Sequence, residues 1–162
     1  GRPIGIIANN PQFLSGAIDS DGADKAARFM QLCQAHGLPM VSLCDTPGFM
    51  VGPDAEQQGT VRHVSRMFVT AASLSIPFFT VVLRKGYGLG AQAMAAGSFH
   101  SPLFTAAWPS AEFGAMGLEG AVRLGFAKEL AAQPTPADTR PAAKPIDAPP
   151  MTCGSVPQPA TP

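Results

Sequence analysis

Eight consecutive residues, Arg84-Lys85-Gly86-Tyr87-Gly88-Leu89-Gly90-Ala91, hold the densest chemistry in this chain. Glycines at every second position follow an apolar run, Phe78 to Leu83, and precede an Ala/Met-rich stretch. Glycine in such a turn lets the backbone approach a ligand closely, and free N–H groups at a helix start can hold an anion or an oxyanion. Gly88-Leu89-Gly90-Ala91-Gln92-Ala93 also fits the loose dinucleotide pattern GxGxxA. Two features weigh against that reading: the loop comes after the third or fourth strand, and the next strand ends at Trp108-Pro109, not in a ribose-binding acid. Two readings stay open, tight packing of strand on helix and a backbone oxyanion hole. Arg84 and Lys85 either steer anions or form a solvated strand end.

Other chemistries lack their residues. The sequence has no GxxxxGK[ST] loop, so Asp45-Thr46-Pro47-Gly48 is not the partner loop of a nucleotide triphosphatase. It has no HExxH and no GxSxG, and no metal site is expected. His36, His63 and His100 are scattered; His36 falls at a helix end, where a cation complements the dipole. His63 sits near the start of a later helix and can face a site, although spacing alone does not favour it. Cys33 and Cys44 lie in apolar stretches as small hydrophobes, and with Cys153 they show no CxxC spacing. A formal net charge of zero, without a Lys/Arg cluster, argues against nucleic acid. Neither a charged-then-apolar leader nor an apolar run of membrane length is present, so the expectation is a cytoplasmic protein. With 46% hydrophobic and 14% charged residues, the chain reads as one buried domain with part of its surface covered by another chain.

The elements that must position these residues alternate. Ile4 to Ala8 reads as a buried strand closed by Asn9-Asn10-Pro11, and Phe13 to Ile18 as a second short strand. Asp19, Ser20 and Asp21 are N-cap candidates for a helix through Ala35, with Ala26, Phe29, Met30 and Cys33 on one face and Gly37 and Pro39 stopping it. Met40 to Cys44 reads as a strand. A helix with Val61, Val64, Phe68 and Ala72 on its face then runs to Ile76-Pro77. Phe78 to Leu83 has the character of a strand covered on both sides. The short helix after Gly90, a strand from Phe104 to Trp108, and a helix from about Leu118 to Leu130 complete an α/β layered domain with a mostly parallel sheet. From Gln133 to Pro162 the chain is rich in Pro, Ala, Thr and Ser, and is expected to be disordered. The folded part is therefore expected over residues 1–132 and the tail over 133–162.

The ordered set Gly5-Ile6-Ile7-Ala8-Asn9-Asn10-Pro11, Gly16-Ala17-Ile18-Asp19, Asp24-Lys25-Ala26-Ala27-Arg28-Phe29, Asp45-Thr46-Pro47-Gly48-Phe49, Arg62-His63, Leu83 to Gly88, Trp108-Pro109 and Ala111-Glu112-Phe113-Gly114 with Met116-Gly117 resembles the C-terminal domain of carboxyltransferase subunits. These belong to the biotin-dependent acyl-CoA carboxylases of the acetyl-, propionyl- and methylcrotonyl-CoA type. The resemblance implies a crotonase (ClpP/crotonase-like) fold built of β-β-α units. It also implies an active site shared between an N-terminal domain, which holds acyl-CoA, and this C-terminal one, which receives biotin from a biotin carboxyl carrier protein. The reaction implied is carboxyl transfer from carboxybiotin to the α-carbon of acyl-CoA, with a biotin carboxylase and a homo-oligomeric full enzyme as partners. Neither half-reaction needs a side-chain nucleophile; each needs amides facing an oxyanion. By position the biotin-side donors are the amides of Leu89 and Gly90, with Gly86, Gly88, Ala91 and Gln92 as substrate-binding positions. Gly88-Leu89-Gly90 stands where Gly-Gly-Ala is the commoner family pattern, and Gln92 where an acidic residue is frequent. The N-terminal half of the family pattern is missing from the sequence, and for the Pro-rich end a truncated or frameshifted piece is the expectation, with a genuine linker as the alternative. The rival readings are an inactive docking or assembly module for the biotin carrier and another crotonase-type acyl-CoA enzyme.

Overall fold

Five segments form one parallel sheet in the structure, a computed structural model in which residues 1–131 are described. The strands are β1 (Gly5–Ala8), β2 (Met40–Thr46), β3 (Phe78–Tyr87), β4 (Phe104–Ala107) and β5 (Glu112–Gly114). Their order is β1-β2-β3-β4, with β5 also pairing with β3, so the apolar run from Phe78 stands at the centre. Its two faces are not equally covered, against expectation: Phe78, Thr80 and Val82 are buried, whereas Phe79, Val81 and Leu83 are only half-buried.

The helices pack on the sheet through narrow apolar faces. Helix α1 (Ser20–Ala35) starts where Asp19 Oδ1 accepts from the Gly22 amide at 2.8 Å, the N-cap foreseen from sequence. It buries Ala23, Ala27, Met30 and Cys33, while Ala26 and Phe29 are only half-buried. His36 is its C-cap. A short α2 (Pro53–Gln57), which periodicity did not reveal, precedes α3 (Thr60–Ala72). Helix α3 buries Val64, Met67, Thr70 and Ala71 and leaves Val61 exposed, so its inner face is rotated from the one expected, and it stops at Ala72. Helix α4 (Gly88–Met94) follows β3 without a break.

Two further expectations are corrected. Phe13 to Ile18 is not a strand: Leu14–Gly16 forms a 3-10 turn, and Ile18 makes only a single bridge to Phe49. Leu14 and Ser15 adopt φ of 47° and 56°, and Gly16 φ of 89°, which no strand contains. The last helix divides into α5 (Leu118–Gly125) and α6 (Ala127–Ala131). The chain separates into two units after Ala127, and only residues 128–131 of the second are described. The expected disorder of 133–162 lies outside the described residues. No described helix is long and apolar enough to cross a membrane.

Candidate functional site

Strand β3 delivers the glycine turn. Its last two residues, Gly86 and Tyr87, pair with β5, and Gly86 also pairs with Thr46 of β2, so the turn leaves from a fully flanked strand. Gly88 then takes φ of 58°, a conformation that favours glycine. Gly90 is buried, and a Cβ there would lie 2.6 Å from the carbonyl carbon of Gly48 and 3.0 Å from the Phe49 nitrogen. Backbone therefore lies against backbone where the turn meets the Asp45–Phe49 loop, as the close-packing reading expects. Among the described residues, the amides of Leu89 and Gly90 donate to no side chain and no loop carbonyl. First-turn amides have no acceptor within their own helix either, so both remain free donors.

The loop opposite is held in place from within. Thr46 is fully buried; its hydroxyl donates to the Gly48 carbonyl and accepts from the Gly48 amide, each at 3.1 Å. Ile18 donates to the same carbonyl at 3.0 Å, and the Met50 amide donates to Ile18 at 2.8 Å. Tyr87, buried below the turn, donates its hydroxyl to Glu112. Burial first, and then the Glu112 carboxylate, push its phenol up to about 12, so it stays protonated and keeps donating at neutral pH.

Of the two cations near the turn, Arg84 pairs with Asp45, Nη2 to Oδ2 at 3.1 Å, while its side chain stays half-exposed, and Lys85 Nζ donates to the neutral Ser15 carbonyl at 3.4 Å and keeps its charge. Among the described residues, no hydrogen bond joins His63 to the turn. Its Nδ1 is 2.8 Å from Asp24, which also takes Arg66 at 2.8 Å, and this cluster ties α1 to α3. The His63 bond and the Arg66 contact together hold Asp24 below the ordinary carboxylate range, despite some opposing desolvation. Cys33 and Cys44 are buried, as their apolar context implied, and burial pushes the Cys44 thiol up to about 12.

Of the site residues expected from sequence, Gly86, Gly88, Leu89, Gly90, Ala91 and Gln92 fall together because they are consecutive across one strand-to-helix turn. An open cleft of about 660 Å³ lies elsewhere, between the exposed edge of β1 and α1, lined by Ile6, Phe13, Ile18 and Phe29 among others. None of the six expected positions lines it. Reading by motif missed Asp45 as a bonded carboxylate. Its signal was present: an acid directly after an apolar strand is either solvated or partnered.

The arrangement defines a class, a parallel α/β domain that offers backbone donors at a glycine turn. Residues 1–148 match the carboxyl transferase domain, and the chain belongs to that family. It is 41% identical over 136 residues to the methylmalonyl-CoA carboxyltransferase 12S subunit of Propionibacterium freudenreichii subsp. shermanii, covering 84% of this chain and 26% of that protein. It is also 41% identical over 134 residues to the biotin-dependent acetyl-/propionyl-coenzyme A carboxylase beta6 subunit of Mycobacterium bovis, covering 83% and 28%. A solved single-chain, multi-domain long-chain acyl-CoA carboxylase superposes with a TM-score of 0.76 at 58% identity, over 85% of this chain and 13% of that one. The crotonase-like fold expected from the resemblance is therefore shown. The chain spans about a quarter of the length of the curated relatives it matches.

Proposed function

We propose that this chain forms the biotin-side half of a carboxyltransferase site, passing carboxyl from carboxybiotin to the α-carbon of an acyl-CoA. The observation that carries the reading is the pair of unpartnered amides, Leu89 and Gly90, on a turn too close to Gly48 for any side chain at position 90. Biotin, brought by a carrier protein, would supply the activated carboxyl group. The chain's own part is to hold the ureido oxygen: backbone amides without another acceptor can stabilise negative charge there without a proton transfer. Gly88 sets the turn, Gly86 and Ala91 keep its flanks small, and Gln92 stands one turn along α4, at the position the resemblance links to acyl-chain preference. Residues 1–132 act as the working domain in this reading. The acyl-CoA side comes from an N-terminal carboxyltransferase domain, and biotin carboxylase and a larger homo-oligomer complete the enzyme. Family membership together with the free amides favours transfer over a pure docking role.

The test pairs the full chain with the N-terminal carboxyltransferase domain of a relative and follows transfer from carboxybiotin to acyl-CoA. Gly90→Ala keeps its N–H but forces the turn away from Gly48, and by misaiming the amides is expected to lower the rate by up to roughly 10²–10³, the size of effect known for loss of one oxyanion donor. Transfer at the unaltered rate by a folded Gly90→Ala chain would remove the two amides from the mechanism.

A further inference from the structure

Asp45 stands where the sheet changes its pairing. Between the pairs Cys44–Val82 and Thr46–Gly86, this one residue of β2 faces three of β3, Leu83, Arg84 and Lys85. On its other flank β3 leaves β4 at Val82–Ala107 and takes up β5 at Lys85–Glu112. A bulge of this kind disrupts the ladder and re-aims the strand. The Asp45 carboxylate supplies acceptors where the ladder fails. Its Oδ1 accepts from the Lys85 amide at 3.1 Å and from Arg84 Nε at 3.3 Å, and Oδ2 takes Arg84 Nη2 at 3.1 Å.

Asp45 is itself held from the β1 side. Its amide donates to Asn9 Oδ1 at 3.1 Å, and its carbonyl abuts Gly16, where a Cβ would come within 2.3 Å. The side chain is only 10% exposed. Charge-assisted bonds in such a place hold geometry more firmly than neutral ones. From Lys85 the backbone runs through Gly86, Tyr87 and Gly88 to Leu89 and Gly90, so the phase fixed at the bulge decides where those two amides point.

We propose that Asp45 is a positioning residue: its carboxylate locks the β3 bulge and thereby aims the Leu89 and Gly90 amides. It touches no reacting atom. The inference rests on the half-site reading for its purpose, but not for its geometry.

The test uses the ¹⁵N-labelled full chain, free and titrated with biotin. Asp45→Ala is expected to move the amide resonances of residues 85–90 while those of α1 and α3 stay in place, and to weaken biotin binding at least tenfold. Asp45→Asn keeps one acceptor oxygen for the Lys85 amide and is expected to recover part of both. Amides 86–90 unmoved in the free Asp45→Ala chain, or unchanged biotin affinity beside a responsive unaltered chain, would overturn the proposal. If the unaltered chain shows no biotin response at Leu89 and Gly90, the half-site reading fails, and the free-chain resonances still decide whether Asp45 positions the turn. Should Asp45→Ala not fold, Asp45→Asn and Arg84→Gln carry the same comparison, with smaller displacements of the same amides expected.

Discussion

A methyl group added at Gly90 tests the packing on which the turn depends. An ideal Cβ there lies 2.6 Å from the Gly48 carbonyl carbon, 2.8 Å from its Cα and 3.0 Å from the Phe49 nitrogen. Carbon atoms in contact prefer about 3.5–4.0 Å, so the two approaches to carbon are short by about 1 Å. The opposing backbone cannot retreat freely, because Gly48 is bonded to Thr46 through both its amide and its carbonyl and to Ile18 through the carbonyl. Overpacking of this kind costs about 1–3 kcal/mol, and the helix preference of Ala over Gly returns about 1 kcal/mol. A net loss of about 0–2 kcal/mol is expected for Gly90→Ala. Gly120→Ala in α5 meets nothing within 4 Å and serves as the control, with an expected gain of about 0.5–1 kcal/mol. Urea unfolding followed by far-ultraviolet circular dichroism gives both values on the full chain. If Gly90→Ala proves as stable as Gly120→Ala, the close approach of turn and loop is wrong, and the aim of the two amides with it.

Three further outcomes follow from buried or paired groups. The hydroxyls of Ser42 and Thr80, opposite each other in the β2–β3 register, are buried without partners, so Thr80→Val is expected to stabilise by about 1 kcal/mol in urea unfolding; destabilisation would mean that the hydroxyl is satisfied. Asp24 is held below its unfolded pKa, so its contribution is fully present above the ordinary carboxylate value and is lost as pH falls through the lowered folded value. Asp24→Asn should therefore lower the urea midpoint at neutral pH, with the deficit shrinking in acid below about pH 4; a deficit independent of pH would count against the pairing. Cys44, fully buried and with its thiol pushed up to about 12, is expected to resist iodoacetamide at pH 8 until urea unfolds the chain, as read by peptide mass mapping; rapid labelling of the native chain would show that β2 is not packed as described.

Local chemistry made the glycine turn legible and nonlocal chemistry hid what aims it. The run from Phe78, the Asp19 cap and the glycines at 86, 88 and 90 each act over a few residues, so sequence showed a buried strand, a helix start and a tight turn in their right places. The segment Phe13 to Ile18 misled because its apolar content matches a strand. What decides its path is Gly16, whose missing Cβ admits the Asp45 carbonyl from another strand. The extension of β3 past Leu83 escaped notice for the same kind of reason. Arg84-Lys85-Gly86 has the composition of a strand exit, yet a carboxylate about 40 residues earlier holds it in the sheet as a bulge. Composition reports what a segment prefers by itself, whereas a bulge exists only as a relation between two strands. If amides at a glycine turn are the working groups, their direction is inherited from that relation. The residue most able to spoil the site without touching it is then an acid on the neighbouring strand, not a glycine in the turn.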